Sequence, residues 1–122
     1  MKPVTERGLQ LAEGDLVMAA YARRRRMYDQ CVSHCRQALE KLLKAIWEEK
    51  QDFGSPPKTH NLGALAKQLL PDLDDATSEF LQRLARQYLP ARNAEYEYSV
   101  EEAADYHRRT REIFSWLRRQ LT

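Results

Sequence analysis

A short polar segment carries the side chains best suited to chemistry. Arg92 and Asn93 are followed by Tyr96 and Tyr98, between two stretches with a helical pattern. One arginine, one asparagine and two tyrosines make this segment too polar to be core. The alternative is a turn that ends a helix, with its tyrosines packed against the bundle and Arg92 paired with an acidic neighbour. Composition alone favours the turn.

Two cysteines and a histidine lie within about one helical turn of each other, at Cys31, His34 and Cys35. Two thiolates and an imidazole could begin a zinc site. A structural zinc site takes four ligands, however, and neither His60 nor His107 has a neighbour at similar spacing that would complete the set. Cysteines on an apolar face behave as small hydrophobic residues. We therefore expect no metal and no other cofactor.

The remaining histidines have two interpretations each. His107 falls on the inward face of the last predicted helix, where one buried partner can satisfy a neutral imidazole. It could also face a cleft as a general base, although the first interpretation is favoured. His60 stands beside Asn61, a candidate helix cap, and is assigned to a helix start.

Arginine is concentrated in one run, at residues 23–26. Four guanidiniums could bind the phosphates of RNA or of a nucleotide, but such a run often coats a solvated turn. A basic face would result if the arginines of the last helix lie on the same side: Arg108, Arg109, Arg111, Arg118 and Arg119. The sequence alone cannot place them together.

Other functional classes are excluded by absence of their motifs and by composition. The sequence has no Gly-rich phosphate loop, no G-x-S-x-G and no H-E-x-x-H. Its 122 residues, 43% hydrophobic, with 20 Lys+Arg against 18 Asp+Glu, are typical of one folded domain, residues 1–122. No apolar run approaches the roughly 18 residues of a membrane helix, and the first residues lack the apolar stretch of a signal peptide. We expect a cytoplasmic protein.

Apolar residues recur at three- and four-residue steps through most of the chain, which predicts helices. A first helix follows Thr5, a candidate N-cap, and runs to about Arg23. A second carries the widest apolar stripe, from Tyr28 to Ile46, and should be central. It stops before residues 51–58, which contain a glycine, a serine and two prolines.

Three further helices are predicted after that loop. Asn61 caps the third, which Pro71 closes, and Asp74 or Asp75 caps the fourth, which keeps its period until Pro90. Ser99 and Glu102 form a capping box before the last, because each side chain can bond a backbone N–H of the other residue. No segment alternates with the period of a strand. About five helices with short connections predict an all-α, up-and-down antiparallel bundle.

The chain resembles the HEPN family, the higher eukaryotes and prokaryotes nucleotide-binding domains, in four motifs. These are AEGDL at 12–16, QALEKLLKAI at 37–46, PKTHNL at 57–62 and YLPARN at 88–93. The motifs occur in the order found in the family, and the resemblance covers nearly the whole chain. The resemblance implies a helical bundle that commonly forms a dimer.

Many members of that family resemble RNases or toxins with an arginine followed four to six residues later by a histidine. In that chemistry the histidine transfers a proton and the arginine stabilises charge on the phosphate. No arginine precedes His34, His60 or His107 at this spacing. Tyr96 stands where the histidine would be, and a phenol with a pKa near 10 is a poor proton shuttle at neutral pH.

The resemblance therefore implies a non-catalytic HEPN-like domain that binds a nucleotide or RNA phosphate. The site would consist of Arg92, Asn93, Tyr96 and Tyr98. The domain would form a homodimer and act with a separately encoded minimal nucleotidyltransferase. Tyr98 matches the tyrosine that such a partner modifies in some family pairs. Two alternatives stay open. One is an RNase toxin that uses His34 or His107 from another helix, and the other is a structural dimerisation partner with its tyrosines buried against the second subunit.

Overall fold

Helices make up the regular structure of residues 1–51, 56–87 and 96–121, the ranges that the computed structural model describes. These ranges contain no strand. The α-helices in them are α1 (Pro3–Arg24), α2 (Tyr28–Lys50), α3 (Leu62–Leu69), α4 (Asp75–Ala85) and α5 (Val100–Arg118), and a 3₁₀ turn (Arg119–Leu121) follows. The prediction of an all-α bundle of about five helices is confirmed.

Helix α2 is the centre of the bundle, as its wide apolar stripe predicts. It packs against α1, α3, α4 and α5, and α3 and α4 also pack against each other. Its fully buried residues form two adjacent lines along the helix, so every turn contributes to the core. They are Cys31, Val32, Cys35, Ala38, Leu39, Leu42, Leu43 and Ile46.

The start of α1 differs from the prediction. Thr5 does not cap the helix, which begins at Pro3 after Lys2, and Thr5 is fully buried within the first turn. Proline suits this first position because its fixed φ is helical and it has no N–H to leave unpaired. Lys2 holds the helix start in place, since its Nζ donates to the carbonyl oxygens of Glu48 and Gln51 at 2.8 and 2.9 Å.

The other predicted caps are present. The Asn61 side chain accepts from the Ala64 N–H at the start of α3, and Asp74 accepts from the Thr77 N–H at the start of α4. Ser99 and Glu102 form the reciprocal capping box of α5. These local bonds fix where each helix begins, and therefore which residues face the end of the bundle.

Helix α4 ends earlier than its apolar period suggests. It stops at Ala85, and the N–H groups of Arg86 and Gln87 turn back to carbonyl oxygens three residues earlier, at 3.2 and 3.0 Å. Such bonds tighten the last turn, after which the chain leaves the helix. The predicted continuation from residue 88 to Pro90 lies outside the described residues. Within the described ranges, no helix is both long enough and apolar enough to cross a membrane.

Candidate functional site

Tyr96 and Tyr98 lie side by side at the N-terminal end of α5. Their rings meet edge to face at 4.8 Å between centroids. The Tyr96 hydroxyl donates to Glu102 Oε2 at 3.1 Å, and the Tyr98 hydroxyl donates to Gln87 Oε1 at 2.9 Å. Tyr98 is buried, and burial raises its pKa well above the ordinary value for tyrosine, whereas Tyr96 is 37% exposed. Both phenols are therefore neutral anchoring groups in the free protein.

The bond between Tyr98 and Gln87 spans the segment that the sequence singled out. Arg92 and Asn93 lie outside the described residues, which stop at Gln87 and resume at Tyr96. Gln87 and Tyr98, which lie on either side of that segment in the sequence, meet at one corner of the bundle. That Arg92, Asn93, Tyr96 and Tyr98 contact a phosphate stays a prediction.

A row of aromatic rings leads from this corner along the cleft between α4 and α5. The ring of Tyr98 meets that of Tyr106 edge to face at 6.3 Å, and Tyr106 lies 5.9 Å from Phe80. All three rings are buried. They form a rigid floor, because aromatic side chains have few rotatable bonds and pack closely in these geometries.

Two guanidiniums lie over the end of this floor. The Arg109 Cζ atom is 4.2 Å from the centre of the Phe80 ring. The Arg83 Cζ atom is 5.6 Å from the same ring and 5.5 Å from that of Tyr106. The π faces hold the guanidiniums in place without neutralising them. We call Phe80, Arg83, Arg86, Tyr106 and Arg109 the arginine–aromatic cluster.

The cluster borders a cavity of about 500 Å³ at the surface of α4 and α5, lined by Arg83, Arg86, Arg109 and Glu79 among others. Arg83 approaches Asp105 at 4.0 Å, the limit of an ion pair. Neither Arg86 nor Arg109 forms an ion pair with any residue in the described ranges. Three cationic side chains against one lining carboxylate give the cavity a positive potential.

A smaller cavity of about 220 Å³ adjoins the cationic one. The two share Gln82 and Arg86, and His60, Asn61 and Ala85 line the smaller cavity. Its walls are mainly apolar. Gln82 and Arg86 thus lie between a cavity bordered by three arginines and an apolar recess, and we call the two cavities together the cationic groove.

A third cavity, of about 380 Å³, lies beneath Tyr98 at the start of α2 and is less suited to an anion. Arg26 lines it together with Tyr98, Asp29 and Glu97, so two carboxylates face one guanidinium. Arg26 has a φ of 60°. This is the left-handed conformation that the residue after a helix often adopts, and that residue is usually glycine. It closes α1, since the Met27 N–H bonds the Ala22 carbonyl oxygen at 2.8 Å.

The histidines occupy three different environments. His107 is buried, as predicted, but its Nε2 has no hydrogen-bond partner among the residues that the structure describes. Burial and then the positive charges of Arg23, Arg111 and Arg24 lower the pKa of His107, so the imidazole is neutral at pH 7. His60 is largely exposed at the start of α3.

His34 is held by a buried carboxylate between α1 and α2. Its Nδ1 lies 2.8 Å from Asp15 Oδ1, and Lys41 Nζ donates to Asp15 Oδ2 at 2.5 Å. The His34 side chain keeps 27% of its surface exposed, whereas that of Asp15 keeps 9%. This arrangement fixes the orientation of the imidazole, as a carboxylate does in many acid–base pairs.

The cysteines behave as core residues. Cys31 and Cys35 are free and fully buried, and the hydrogen bond with Cys31, together with burial, raises the pKa of the Cys35 thiol. Among the described residues, no group of three or more histidine, cysteine, aspartate or glutamate side chains is placed to hold a metal ion.

The arginines of α5 divide between several environments. Arg111 acts on His107 together with Arg23 and Arg24 of the arginine run, so these three positive charges lie in one region. Arg108 pairs with Asp105 and Glu112, and Arg118 pairs with Glu13 of α1 at 3.0 Å. Arg109 turns toward Phe80 instead. The sequence analysis missed the arginine–aromatic cluster. The three-residue spacing of Phe80, Arg83 and Arg86 was visible, but only packing against α5 adds Tyr106 and Arg109.

The fold and the cluster define a small helical-bundle domain with a cationic groove. The model of the HEPN domain family matches residues 5–120, so the chain belongs to the HEPN family. The crystal structure of an archaeal HEPN homologue is similar over 100% of both chains, with a TM-score of 0.74 and 23% sequence identity. Comparison with curated proteins gives no match.

Proposed function

We propose that this HEPN domain binds the phosphate groups of a nucleotide or of RNA at the arginine–aromatic cluster. The observation that carries the proposal is that no carboxylate of the described ranges pairs with Arg86 or Arg109, at the edge of a cavity of about 500 Å³. Arg92 and Asn93 lie between Gln87 and Tyr98 in the sequence, and we expect them to complete the site.

The geometry of the guanidiniums supports an anionic ligand. A planar guanidinium offers paired N–H donors that match two phosphate oxygens. Arg109 and Arg83 are already stacked on Phe80, so little side-chain freedom is lost when a ligand binds. The cavity beneath Tyr98 is a weaker candidate because Asp29 and Glu97 would repel a phosphate.

The groove also offers a place for the base of a nucleotide. Phosphates would occupy the arginine end, and a base would enter the apolar recess beside Ala85 and Asn61. Apolar walls with a few polar groups are typical of sites that bind flat organic ligands. Shared residues Gln82 and Arg86 would lie between the two parts.

The test is a titration with each nucleoside triphosphate and with a single-stranded oligoribonucleotide. Arg109→Gln should weaken binding by about tenfold to a hundredfold, the value of one hydrogen-bonded charge pair. Binding should also weaken as salt is raised, since phosphate contacts release counterions. Arg92→Ala should weaken binding in the same direction.

Arg108→Gln is the matched control. It removes the same charge from the preceding residue of α5, but Arg108 is already paired with Asp105 and Glu112. It should leave affinity nearly unchanged. Equal losses in the two variants, with both still folded by thermal melting, would mean that only net charge matters. Absence of binding by the wild-type chain would refute the proposal.

A minimal nucleotidyltransferase as partner stays a prediction that rests on family resemblance. Transfer of a nucleotidyl group to Tyr98 would require its buried hydroxyl to leave Gln87. Tyr96 is the more exposed phenol at this corner. Mass spectrometry of the chain expressed with such an enzyme would locate any modified tyrosine.

A second candidate function is RNA cleavage, which the pairing of His34 with Asp15 favours. An oriented imidazole with an exposed edge can accept a proton, whereas His107 is buried. If the protein is an RNase toxin, its expression should arrest growth, and His34→Ala should relieve the arrest while His107→Gln does not. Growth that is unaffected by the wild-type protein would exclude this candidate.

A further inference from the structure

A network of three polar side chains lies where α1 packs on α2, apart from the arginine–aromatic cluster. The carboxylate of Asp15 on α1 is buried, and it binds two side chains of α2, His34 and Lys41. The two α2 residues are seven apart, about two helical turns, so they project from the same face of the helix. We call Asp15, His34 and Lys41 the Asp15 network.

The carboxylate decides which nitrogen of the His34 ring carries the proton. Asp15 Oδ1 lies 2.8 Å from Nδ1, and a carboxylate oxygen accepts hydrogen bonds but donates none. Nδ1 therefore holds the proton, and the lone pair of the neutral imidazole is on Nε2. Nε2 forms no hydrogen bond with any residue in the described ranges, and it is not one of their buried atoms. The network thus presents a nucleophilic nitrogen to solvent in one fixed orientation.

Lys41 balances the charge around this nitrogen. Its ammonium donates to Asp15 Oδ2 at 2.5 Å, so the carboxylate and the ammonium together carry no net charge. An anion that approaches the His34 ring therefore does not meet an uncompensated carboxylate.

The other two histidines of the chain differ from His34 in one respect each. His107 is 4% exposed, so a reagent in solution does not reach its ring. The side chain of His60 is 81% exposed, but its Nδ1 lies 3.9 Å from Glu40 Oε1, too far for a hydrogen bond to that carboxylate. His60 is therefore the more accessible ring, and His34 is the ring that a buried carboxylate orients.

We propose that Nε2 of His34 accepts a phosphoryl group from a phosphoramidate, a compound with a bond between phosphorus and nitrogen. The Nε2 lone pair attacks phosphorus, and the P–N bond of the donor breaks. With zwitterionic phosphoramidate, neutral ammonia leaves with the electron pair of that bond, so the site need not supply a proton. One P–N bond replaces another, which suits this class of donor to an imidazole.

Asp15 is the positioning residue of this step. The His34 ring becomes positively charged as the new bond forms, and the carboxylate at Nδ1 stabilises that charge. Histidine is among the side chains that form covalent intermediates when a neighbouring group activates them. Since phosphorylated Nε2 has no lone pair, the modified chain could not use His34 as a base in RNA cleavage.

The Asp15 network lies on α1 and α2, whereas the arginine–aromatic cluster lies on α4, α5 and the turn that ends α4. The inference therefore goes beyond the proposed function. A chain that fails to bind nucleotides could still be phosphorylated on His34, and a chain that resists phosphorylation could still bind them.

The first test is incubation of the full chain with potassium phosphoramidate, followed by mass spectrometry and peptide mapping without acid. His34 should gain a phosphoryl group faster than His60 by about tenfold to a hundredfold, the value of one hydrogen bond to a charged group. His34→Gln should remove this label. Because the two rings are compared within the wild-type chain, the result does not depend on whether a variant folds.

The second test concerns the role of the carboxylate. Phosphorus NMR should place the group on Nε2 rather than Nδ1, and Asp15→Asn should slow the labelling of His34 to the rate of His60. Glu13→Gln is the matched control, since it removes the same charge from α1 at a residue that pairs with Arg118 instead. It should leave the rate unchanged, with the fold of both variants checked by circular dichroism.

Four results would overturn the proposal. They are labelling of His60 as fast as that of His34, no labelling of either ring, attachment at Nδ1, and an unchanged rate in folded Asp15→Asn. The first of these would mean that exposure alone governs the reaction, and the last that Asp15 serves only to join α1 to α2.

Discussion

Replacing Gly63 with alanine tests how closely α3 and α4 must approach to build the cationic groove. A Cβ atom at Gly63 would lie 2.5 Å from the carbonyl oxygen of Ser78 and 3.2 Å from the Cβ of Gln82, both on α4. The oxygen belongs to the backbone, so it cannot move without the helix. Ser78 also bonds Gly63 through its hydroxyl at 3.4 Å.

The magnitude follows from two opposing effects. Alanine stabilises a helix by up to about 1 kcal/mol relative to glycine, whereas overpacking costs about 1–3 kcal/mol. Because the contact at 2.5 Å is with backbone, the overpacking cost lies at the upper end, about 2–3 kcal/mol, and we expect a net loss of about 1–2 kcal/mol. For 122 residues the unfolding entropy is about 0.26 kcal/mol per K, so Tm should fall by about 4–8 °C.

Gly14→Ala is the control for this experiment, because a Cβ there meets no neighbour within 4 Å. It should raise Tm by about 2–4 °C. Both variants are measured by thermal melting in one buffer. If Gly63→Ala stabilises the chain as much as Gly14→Ala does, the close approach of α3 to α4 is wrong.

Three further predictions concern single residues. Arg26→Gly should stabilise the chain by about 0.5–1 kcal/mol in denaturant titrations, because glycine adopts the φ of 60° without strain; a loss of stability would contradict this. Tyr98→Phe should lower stability by about 1 kcal/mol through loss of the bond to Gln87, and an unchanged midpoint would show that the bond contributes nothing. Since the lowered pKa of His107 means that the unfolded chain binds a proton before the folded chain does, stability should fall as pH falls through about 6.5. His107→Gln should flatten that part of the pH profile, and an identical slope in both chains would assign the effect to other groups.

Local signals in the sequence located most of the helices correctly. Asn61, Asp74 and the pair Ser99 and Glu102 cap the helices that they were expected to cap. Capping depends on residues three positions apart, so it can be read without knowledge of the fold. The apolar stripe of α2 likewise predicted its central place, because a helix that is apolar over a wide face needs neighbours on several sides.

The predictions of two helix boundaries were wrong. Thr5 has the chemistry of a cap, but the bonds of Lys2 to the end of α2 set the start of α1 at Pro3. The apolar period of α4 continues past Ala85, yet the chain turns there. The apolar period shows which face of a helix is buried, but it does not show at which residue the helix ends.

The sequence by itself determined the helical bundle, its family and the polar segment that contains Arg92. It could not find the arginine–aromatic cluster, since Arg83 and Arg109 lie on different helices and meet only over Phe80. Nor could it show that Arg108 is paired with carboxylates while Arg109, within the described part of the chain, is not. Helix formation follows from spacing along one chain, whereas the charge of a cavity depends on which side chains tertiary packing brings together.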